Sequence, residues 1–257
     1  MKKIKSIRNI LVSVAVLILV WQVFFAFSSY DKMLFPSPVM ALRALSEMIE
    51  EGILLKNILT SLYRFLIGYT IAVFSAVVLG MILGQLPQLF QYINPAIQLI
   101  RPISPTAWMP FIVLLFGIGD VPAIVIIFIA AFFPVLLSTV SAVGNIDPVY
   151  LKVSRNFAVR QPQLTWKVIL PAAFPQIANG IHLALGSAWI FLVAGEMVGS
   201  QSGLGYQIID ARNNLRADVL LATILVIGGI GIMLDEILKI IEKKLTIAGG
   251  ESECILK

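Results

Sequence analysis

The sequence contains few charged residues for its length. Lys, Arg, Asp and Glu together make up 13% of the 257 residues, whereas an ordinary soluble domain carries about 25%. Hydrophobic residues account for 59% of the chain, and the mean hydropathy is +0.94. This composition indicates a protein embedded in a lipid bilayer. Because one span needs about 20 apolar residues, the length allows about six spans.

Residues with catalytic or metal-binding chemistry are also scarce. The single cysteine, Cys254, excludes an intrachain disulfide and a cysteine metal cluster, and His182 is the one histidine. No nucleophile or metal-ligand constellation is present, which argues against a membrane enzyme, and we expect no cofactor on this chain. The phosphate-binding pattern G-x-x-x-x-G-K-[ST] is absent as well. Transport driven by ATP would therefore take its energy from another chain.

Long apolar stretches predict an all-α, polytopic membrane protein that forms one transmembrane domain over residues 1–257. Residues 1–28 are expected to hold the first span, because the apolar run at 10–27 is longer than the core of a signal peptide and no small-x-small cleavage pattern follows it. Residues 29–56 are interpreted as an external segment with an amphipathic helix, and residues 57–241 as the core. The spans of this core are expected at 57–84, 93–119, 121–143, 177–198 and 219–241.

The span at 93–119 is interrupted by four prolines and carries Arg101 near its middle. Non-helical backbone at membrane depth is tolerated only against protein or a water-filled cavity, so this span should face the interior of the bundle. A charge at this depth is costly, about 2.5 to 3.5 kcal/mol on insertion scales. Arg101 and three polar neighbours, Ser104, Thr106 and Trp108, are therefore candidates for a functional site, and they would line a translocation pathway and offer hydrogen-bond donors if the protein transports an oxyanion.

Arg64, His182 and Glu196 are further ionisable residues inside the predicted second and fifth spans. Arg64 in the second span and Glu196 near the outer end of the fifth are also candidates for the pathway. Snorkelling or pairing is an alternative for Arg64, and a structural ion pair or a hydrogen bond to a dimer partner is the alternative for Glu196. His182, one turn into the fifth span, is expected to be a packed neutral imidazole and not a proton relay.

Lys and Arg are unevenly distributed between the two sides of this arrangement. With the N-terminus inside, twelve lie on the inner side, four each in the N-terminal tail, in the insert before the fifth span and at the C-terminal end, against five in the outer loops. Cytoplasmic loops are enriched in Lys and Arg, so we expect both termini in the cytoplasm. The net charge of +5 follows from the same bias and does not require a nucleic-acid partner.

The inner loop at 145–176 is basic and amphipathic, although it lies between two apolar spans. Its stretch LKVSRNFAVRQPQLTWKVILPAAFPQI holds two Lys, two Arg and no acidic residue. Asp147 as N-cap and Pro148 as the first helical residue predict one helix, Pro162 opens a second short one, and two later prolines should break the path into the next span. Physical reasoning alone leaves two interpretations open: a helix lying on lipid headgroups, or a knuckle that fits the cleft of a partner protein.

This loop resembles the cytoplasmic loop of the permease subunits of binding-protein-dependent ABC importers, whose pattern is Glu-Ala-Ala, a later Gly, and then Ile-x-Leu-Pro. The downstream half is present as VILP, and Ala158 keeps the spacing of the Gly. Lys152, Val153 and Ser154 occupy the Glu-Ala-Ala positions, which implies a differently charged pocket in the partner. Five further stretches of the sequence resemble the branch of this family that imports sulfonates, taurine, nitrate or bicarbonate, and they occur in the same order. They are LFPSPVMALRAL, SLYRFLIGYTIAVFSAVVLGMILG, RPISPTAWMPFIVLLFGIGD, AAFFPVLLSTVSAV and VAGEMVGSQSGLGYQIIDARN.

The resemblance implies a type I importer fold, in which this chain forms the pathway for a small oxyanion. The implied partners are cytoplasmic ABC ATPase subunits that hold ATP and Mg, a second permease subunit, expected to be another copy of this chain, and an external solute-binding protein. The binding protein largely selects the solute, so the sequence does not name it. The ATPase is expected to contact the coupling loop (145–176) at Lys152, Val153, Ser154, Arg155, Phe157, Ala158, Trp166, Leu170 and Pro171.

The main alternative function is a secondary transporter driven by an ion gradient, or a channel. Such a protein predicts paired acidic and basic residues at the membrane midplane and inverted internal repeats. Glu196 is the one acidic residue in the second to fifth spans, and the two halves of the sequence do not resemble each other. The sequence therefore favours the importer subunit.

Overall fold

A computed structural model describes residues 12, 16, 18–27 and 35–248, apart from the side chains of Arg155 and of residues 245–248. Every regular element within these ranges is helical, which confirms the all-α class. The α-helices are α1 (Ile18–Phe27), α2 (Pro38–Glu50), α3 (Ile53–Gln85), α4 (Pro87–Ile100), α5 (Met109–Phe116), α6 (Asp120–Gly144), α7 (Pro148–Asn156), α8 (Leu170–Gly199), α9 (Leu204–Asn213) and α10 (Ala217–Ala248).

Four of the described helices are long and apolar enough to cross a membrane: α3, α6, α10 and the continuous helix Thr165–Gly199 that contains α8. A fifth crossing is formed if α4 and the bent segment Pro105–Phe116 are counted together. The short apolar helix α1 falls within the predicted first span at 10–27, whose other residues mostly lie outside the described part of the chain. The expected number of about six spans therefore fits this fold roughly.

Small residues recur at every fourth position of α3 and allow it to pack closely against α6. A Cβ added at Gly80 would lie 2.6 Å from Thr139 Cβ, and one added at Gly84 would lie 2.6 Å from Val143 Cβ. Lipid is as apolar as the helices themselves, so close packing of small residues is a main source of helix association in membranes. α3 and α6 are therefore a closely fitted pair. The small residues of α3 on this side are Gly68, Ala72, Ala76, Gly80 and Gly84.

The proline-rich third span is broken, as the sequence predicts. α4 ends at Ile100, a turn follows, and a short 3-10 helix at Pro105–Trp108 leads into α5. The two halves are bent by 78° relative to each other. Pro105 is the first residue of the 3-10 helix, where its missing N–H has no intrahelical partner to lose. The break therefore places irregular backbone between two short apolar helices.

The entry of the coupling loop into the fifth span differs from the prediction. The sequence predicts a break at Pro171 and Pro175, but one continuous helix runs from Thr165 to Gly199. Its first turn is a π-helix, in which the Leu170 N–H donates to the Thr165 carbonyl oxygen five residues earlier. Pro171 follows this turn directly, so its missing N–H falls at the start of the α-helical register. The predicted break is wrong, and the predicted second short helix is the first turn of this span.

Replacing Gly80 by Leu should lower the unfolding temperature of the detergent-solubilised protein. The new side chain meets Thr139, and overpacking of this kind costs about 1 to 3 kcal/mol. Gly228→Ala in α10 is the matched control, because a Cβ there meets nothing within 4 Å, and its unfolding temperature should not fall. Equal unfolding temperatures for the two variants would show that α3 and α6 do not pack in this way.

Candidate functional site

The first helix of the coupling loop, α7, begins as the sequence predicts. The Val149 N–H donates to Asp147 Oδ1 at 2.8 Å, so Asp147 caps the helix that starts at Pro148. Ser154, which occupies one of the Glu-Ala-Ala positions, is buried, and its hydroxyl donates to the Tyr150 carbonyl oxygen at 2.7 Å. This side of α7 therefore faces the protein.

Ala158 follows α7 in the left-handed backbone region, with a φ of 50°. Gly adopts this region freely, whereas a residue with a Cβ pays about 1 to 2 kcal/mol for it. The resembled loop pattern has Gly at this same position. The turn after α7 therefore keeps its backbone shape and its spacing to Pro171, although an alanine now carries the strain.

The coupling loop exposes both large apolar side chains and basic ones. Val153, Phe157 and Trp166 have 46%, 78% and 68% of their surface exposed. Lys152 and Lys167 are exposed as well. We call these five residues the coupling face. It combines an apolar centre with positive charge and contains no acidic side chain.

Other residues of the loop pack against the helix bundle. Ile169 is buried in a cluster that includes Met81 of α3 and residues of α6 and α8. Leu170 is half-buried at the edge of this cluster, and Pro171 is exposed. The side chain of Arg155, another predicted contact, lies outside the described part of the chain. Apolar packing therefore fixes the loop to its own subunit and leaves the coupling face uncovered by this chain.

Arg64 on α3 is almost fully buried, with 1% of its surface exposed. Its Nη1 donates to Glu196 Oε1 at 2.8 Å and to the Ser202 carbonyl oxygen at 2.7 Å. Its Nη2 donates to the Ser202 hydroxyl at 2.8 Å, and its Nε donates to Asp120 Oδ1 at 2.7 Å. Each guanidinium nitrogen therefore has a partner, as a buried charge requires.

Glu196 on α8 is fully buried and is held by several donors besides Arg64. The Ser61 hydroxyl lies 2.8 Å from both carboxylate oxygens, and the Gly205 N–H donates to Oε2 at 2.9 Å. The Ser61 hydroxyl also accepts the Leu204 N–H at 2.8 Å. Gly203 has a φ of 102°, and a Cβ there would collide with the Glu196 carboxylate. These bonds join α3, α8 and the start of α9.

Sequence reasoning identified Arg64 and Glu196 but missed the residues that hold them. Asn57, Ser61 and Arg64 recur at i, i+4 and i+7 on one face of α3, and a polar stripe in an apolar span is the signal that would have found them. Asn57 Nδ2 donates to Oε1 of the buried Gln207 at 2.7 Å. We call Asn57, Ser61, Arg64, Glu196 and Ser202 the outer network. Within this network Arg64 and Glu196 already bind each other, and their place in a translocation pathway stays a prediction.

The other predicted pathway residues lie together at the break of the third span, apart from the outer network. Arg101 is exposed, and among the described residues no ion pair or hydrogen bond engages its side chain. The hydroxyls of Ser104 and Thr106 lie 2.8 Å apart and are exposed. Trp108 is half-buried, with its ring edge towards Phe111. The segment therefore offers one free cation and two hydroxyls close together in the chain.

His182 lies within hydrogen-bond distance of two carboxylates on α10, and its neutral form stays a prediction. Its Nε2 lies 2.7 Å from Asp235 Oδ1 and its Nδ1 lies 3.2 Å from Glu242 Oε2, both on α10. An ionised carboxylate only accepts hydrogen bonds, so both contacts are hydrogen bonds when both ring nitrogens carry hydrogen. Paired ionisable groups inside the spans, which sequence analysis did not find, thus occur here and at Arg64. In the described ranges, no group of three His, Cys, Asp or Glu side chains is arranged to hold a metal ion.

Comparison with known proteins identifies the family. Residues 76–247, more than half of the chain, match the family described as the binding-protein-dependent transport system inner membrane component. The chain belongs to this family. As the sequence predicted, it is a membrane permease component of an ABC importer.

Relatives of this permease come from several named transport systems. It is 33% identical over 231 residues to SsuC of Bacillus subtilis, which is named for aliphatic sulfonates transport, and the match covers 90% of this chain and 84% of SsuC. It is 31% identical over 244 residues to the taurine transport system permease protein TauC of Escherichia coli, with 93% and 89% covered. It is 32% identical over 188 residues to the nitrate import permease protein NrtB of Leptolyngbya laminosa, with 73% and 67% covered.

Solved structures confirm the fold of the permease. A chain of the MetNI methionine ABC transporter, in a crystal form with an inward-facing conformation, superimposes with a TM-score of 0.65 at 18% identity. The match covers 79% of this permease and 98% of that chain. A second crystal form of MetNI gives a TM-score of 0.62 at 19% identity, with 78% and 97% covered. This likeness agrees with the predicted type I importer fold.

Arg64→Met should destabilise the permease strongly. It leaves Glu196 buried without its cation, and breaking a buried pair in this way costs about 3 to 5 kcal/mol. Asp120→Asn is the matched control, because Asp120 is 54% exposed and loss of an exposed partner costs about 1 kcal/mol or less. The unfolding temperature in detergent measures both effects.

A second variant separates the charge from the packing. Arg64→Met combined with Glu196→Leu removes both buried charges, so it should recover part of the stability that Arg64→Met loses. An Arg64→Met variant as stable as Asp120→Asn would contradict the described network.

Proposed function

We propose that this permease forms the translocation pathway for a small oxyanion and is powered by a separate cytoplasmic ABC ATPase that binds the coupling face. The observation that carries this proposal is a loop that packs against its own bundle through Ile169 and its apolar neighbours and that also exposes aromatic and basic residues. A solute-binding protein would deliver the solute, two copies of the permease would pair, and ATP and Mg would be held by the ATPase. The permease itself would then catalyse no reaction.

The form of the coupling face supports a protein partner. Val153 lies on α7, Phe157 follows one turn later just beyond the end of that helix, and Trp166 is exposed further along the same loop. Large aromatic side chains that are exposed before binding supply much of the energy of protein interfaces. A helix that only rested on lipid headgroups would not need this turn. The positive charge of Lys152 and Lys167 favours a partner cleft with acidic residues.

Topology is part of the same proposal. Twelve of the Lys and Arg residues fall on the side of the coupling loop, and this bias places the loop in the cytoplasm. Both termini would then be cytoplasmic, in the inner membrane of a bacterial cell. The whole chain, residues 1–257, would act as one transmembrane domain, with its outer network on the side from which the solute arrives.

The relatives and the broken third span support an oxyanion as the solute. Sulfonates and nitrate, which appear in the names of the relatives, share a compact anionic group with several oxygen acceptors. Arg101 supplies an unpaired positive charge, and Ser104 and Thr106 supply hydroxyl donors in irregular backbone. Such backbone is tolerated at membrane depth where it lines a cavity. We assign the passage of the anion to this segment.

Uptake by reconstituted vesicles tests the substrate class. Vesicles that hold the permease, its ATPase and the binding protein should take up a sulfonate, taurine or nitrate in the presence of ATP. Arg101→Gln should raise the solute concentration for half-maximal uptake about tenfold, because a hydrogen bond to a charged group is worth about 1.5 to 3 kcal/mol. Arg43→Gln, an exposed arginine of α2, is the matched control and should leave this concentration unchanged.

Two results of the uptake experiment would contradict the proposal. An unchanged half-maximal concentration in Arg101→Gln would remove Arg101 from the pathway. Uptake by vesicles that hold the permease alone, driven by an ion gradient, would favour the alternative of a secondary transporter.

Binding of the ATPase tests the coupling face. Phe157→Ala should weaken copurification of the ATPase, because truncation of a central interface aromatic costs about 2 kcal/mol or more. Lys152→Glu should weaken it further through repulsion from an acidic cleft. Tyr63→Ala, which removes an exposed aromatic from α3, is the control and should bind the ATPase normally. Normal binding by both loop variants would show that the ATPase contacts another surface.

A further inference from the structure

Three side chains form hydrogen bonds with one another at the inner end of α3. Gln85, the last residue of α3, accepts at Oε1 from Gln161 Nε2 at 3.0 Å. The single hydroxyl proton of Thr165 is donated either to Gln85 Oε1 at 3.0 Å or to Gln161 Oε1 at 2.6 Å. The Nε2 of Gln85 donates to the Met81 carbonyl oxygen at 3.0 Å, which fixes the side chain on its own helix. We call Gln85, Gln161 and Thr165 the inner latch.

The inner latch is a directional connection between the coupling loop and α3. Among the side chains that the structure describes, its bonds are the ones that join residues 148–169 to another helix by hydrogen bonding. The loop is also held by apolar packing around Ile169 and by the continuous helix that runs from Thr165 into the fifth span. Apolar contacts tolerate sliding, whereas hydrogen bonds require a fixed distance and angle. The latch therefore sets where the loop lies along α3.

Open space flanks the latch on both sides. One cavity of about 700 Å³ lies between α3 and the start of the fifth span, and it is lined by Gln85, Thr165 and Trp166 among others. A second, of about 600 Å³, lies towards α6 and is lined by Gln85, Gln161 and Leu164 among others. Without the latch, the loop could move into this space while α3 stayed in place.

α3 extends from the inner latch to the opposite end of the bundle. It has 33 residues, which gives a length of about 50 Å at 1.5 Å per residue. It packs closely against α6 through Gly80 and Gly84 and contains no proline. Near its other end, Ser61 and Arg64 bind Glu196 and Ser202. One helix therefore has the coupling loop bonded to one end and the outer network to the other.

We propose that Gln85 is a positioning residue for energy coupling: it makes α3 follow the coupling loop when the ATPase moves, so that the movement reaches the outer network. This inference rests on the proposed function, because it takes the coupling loop to be the contact for the ATPase. It adds a residue outside the loop and a route along α3. Coupling of two sites requires an element that both of them bias, and α3 is bonded at both ends.

The experiment compares three variants in vesicles that hold the full complex of permease, ATPase and binding protein. Gln85→Ala removes the shared acceptor. Gln85→Glu keeps an acceptor oxygen for both Gln161 and Thr165. Gln88→Ala is the matched control, since Gln88 is an exposed neighbour with no hydrogen bond recorded for its side chain in the described part of the chain. The measured quantities are ATP hydrolysis with and without loaded binding protein, solute uptake, and copurified ATPase.

Gln85→Ala should copurify the ATPase and hydrolyse ATP at the unstimulated rate, but the ATP used per solute should rise about tenfold, as expected from the loss of the hydrogen bonding at Gln85 Oε1. Gln85→Glu should restore the native ratio, and Gln88→Ala should not change it. A role limited to stability would lower hydrolysis and uptake together and leave the ratio unchanged.

The possible failures are distinguishable. A native ratio in Gln85→Ala would overturn the inference and leave the proposed function intact. Loss of ATPase copurification in Gln85→Ala would also overturn it, because the latch would then shape the docking surface and not transmit movement. A native permease that neither binds an ATPase nor needs ATP for uptake would overturn the proposed function itself.

Discussion

Arg64 lies in an apolar helix, so its positive charge must be neutralised. The residues that neutralise it hold together the end of the bundle that contains the outer network. A charge buried without a partner is too costly for a folded protein. Glu196 supplies the opposite charge from α8, and Ser202 supplies two oxygens from the segment that follows. Three separate parts of the chain are thereby held at one point. α9 begins at Leu204, two residues after Ser202, so its position depends on these contacts.

The opposite end of α3 is fixed by different means. Its inner end is bonded to the coupling loop by neutral side chains at Gln85, and small residues along its length keep it against α6. The attachments at the two ends of α3 therefore differ in strength. A buried ion pair holds the end near Arg64, and neutral hydrogen bonds hold the end at Gln85.

The sequence predicted much of this architecture because apolar periodicity and capping are local signals. The cap at Asp147, the broken third span and the bounds of α6 follow from such signals. The partners of Arg64 do not, since periodicity shows which face of α3 is polar but not which distant residue meets it. The continuous helix through Pro171 was missed because a π-helical turn before a proline leaves no pattern in a single sequence. Gln85 was missed for a similar reason, since an amide at a helix end is usually solvated.

The central claim is that events at the coupling loop reach the outer network through α3. A spectroscopic label on α9 tests it most directly, with Asn213→Cys at an exposed position and Cys254→Ser to leave one reactive thiol. Addition of a non-hydrolysable ATP analogue to the assembled transporter should change the mobility of this label, although the nucleotide binds on the other side of the membrane. A label that does not respond, in a transporter that still shows ATP-dependent uptake, would contradict the account.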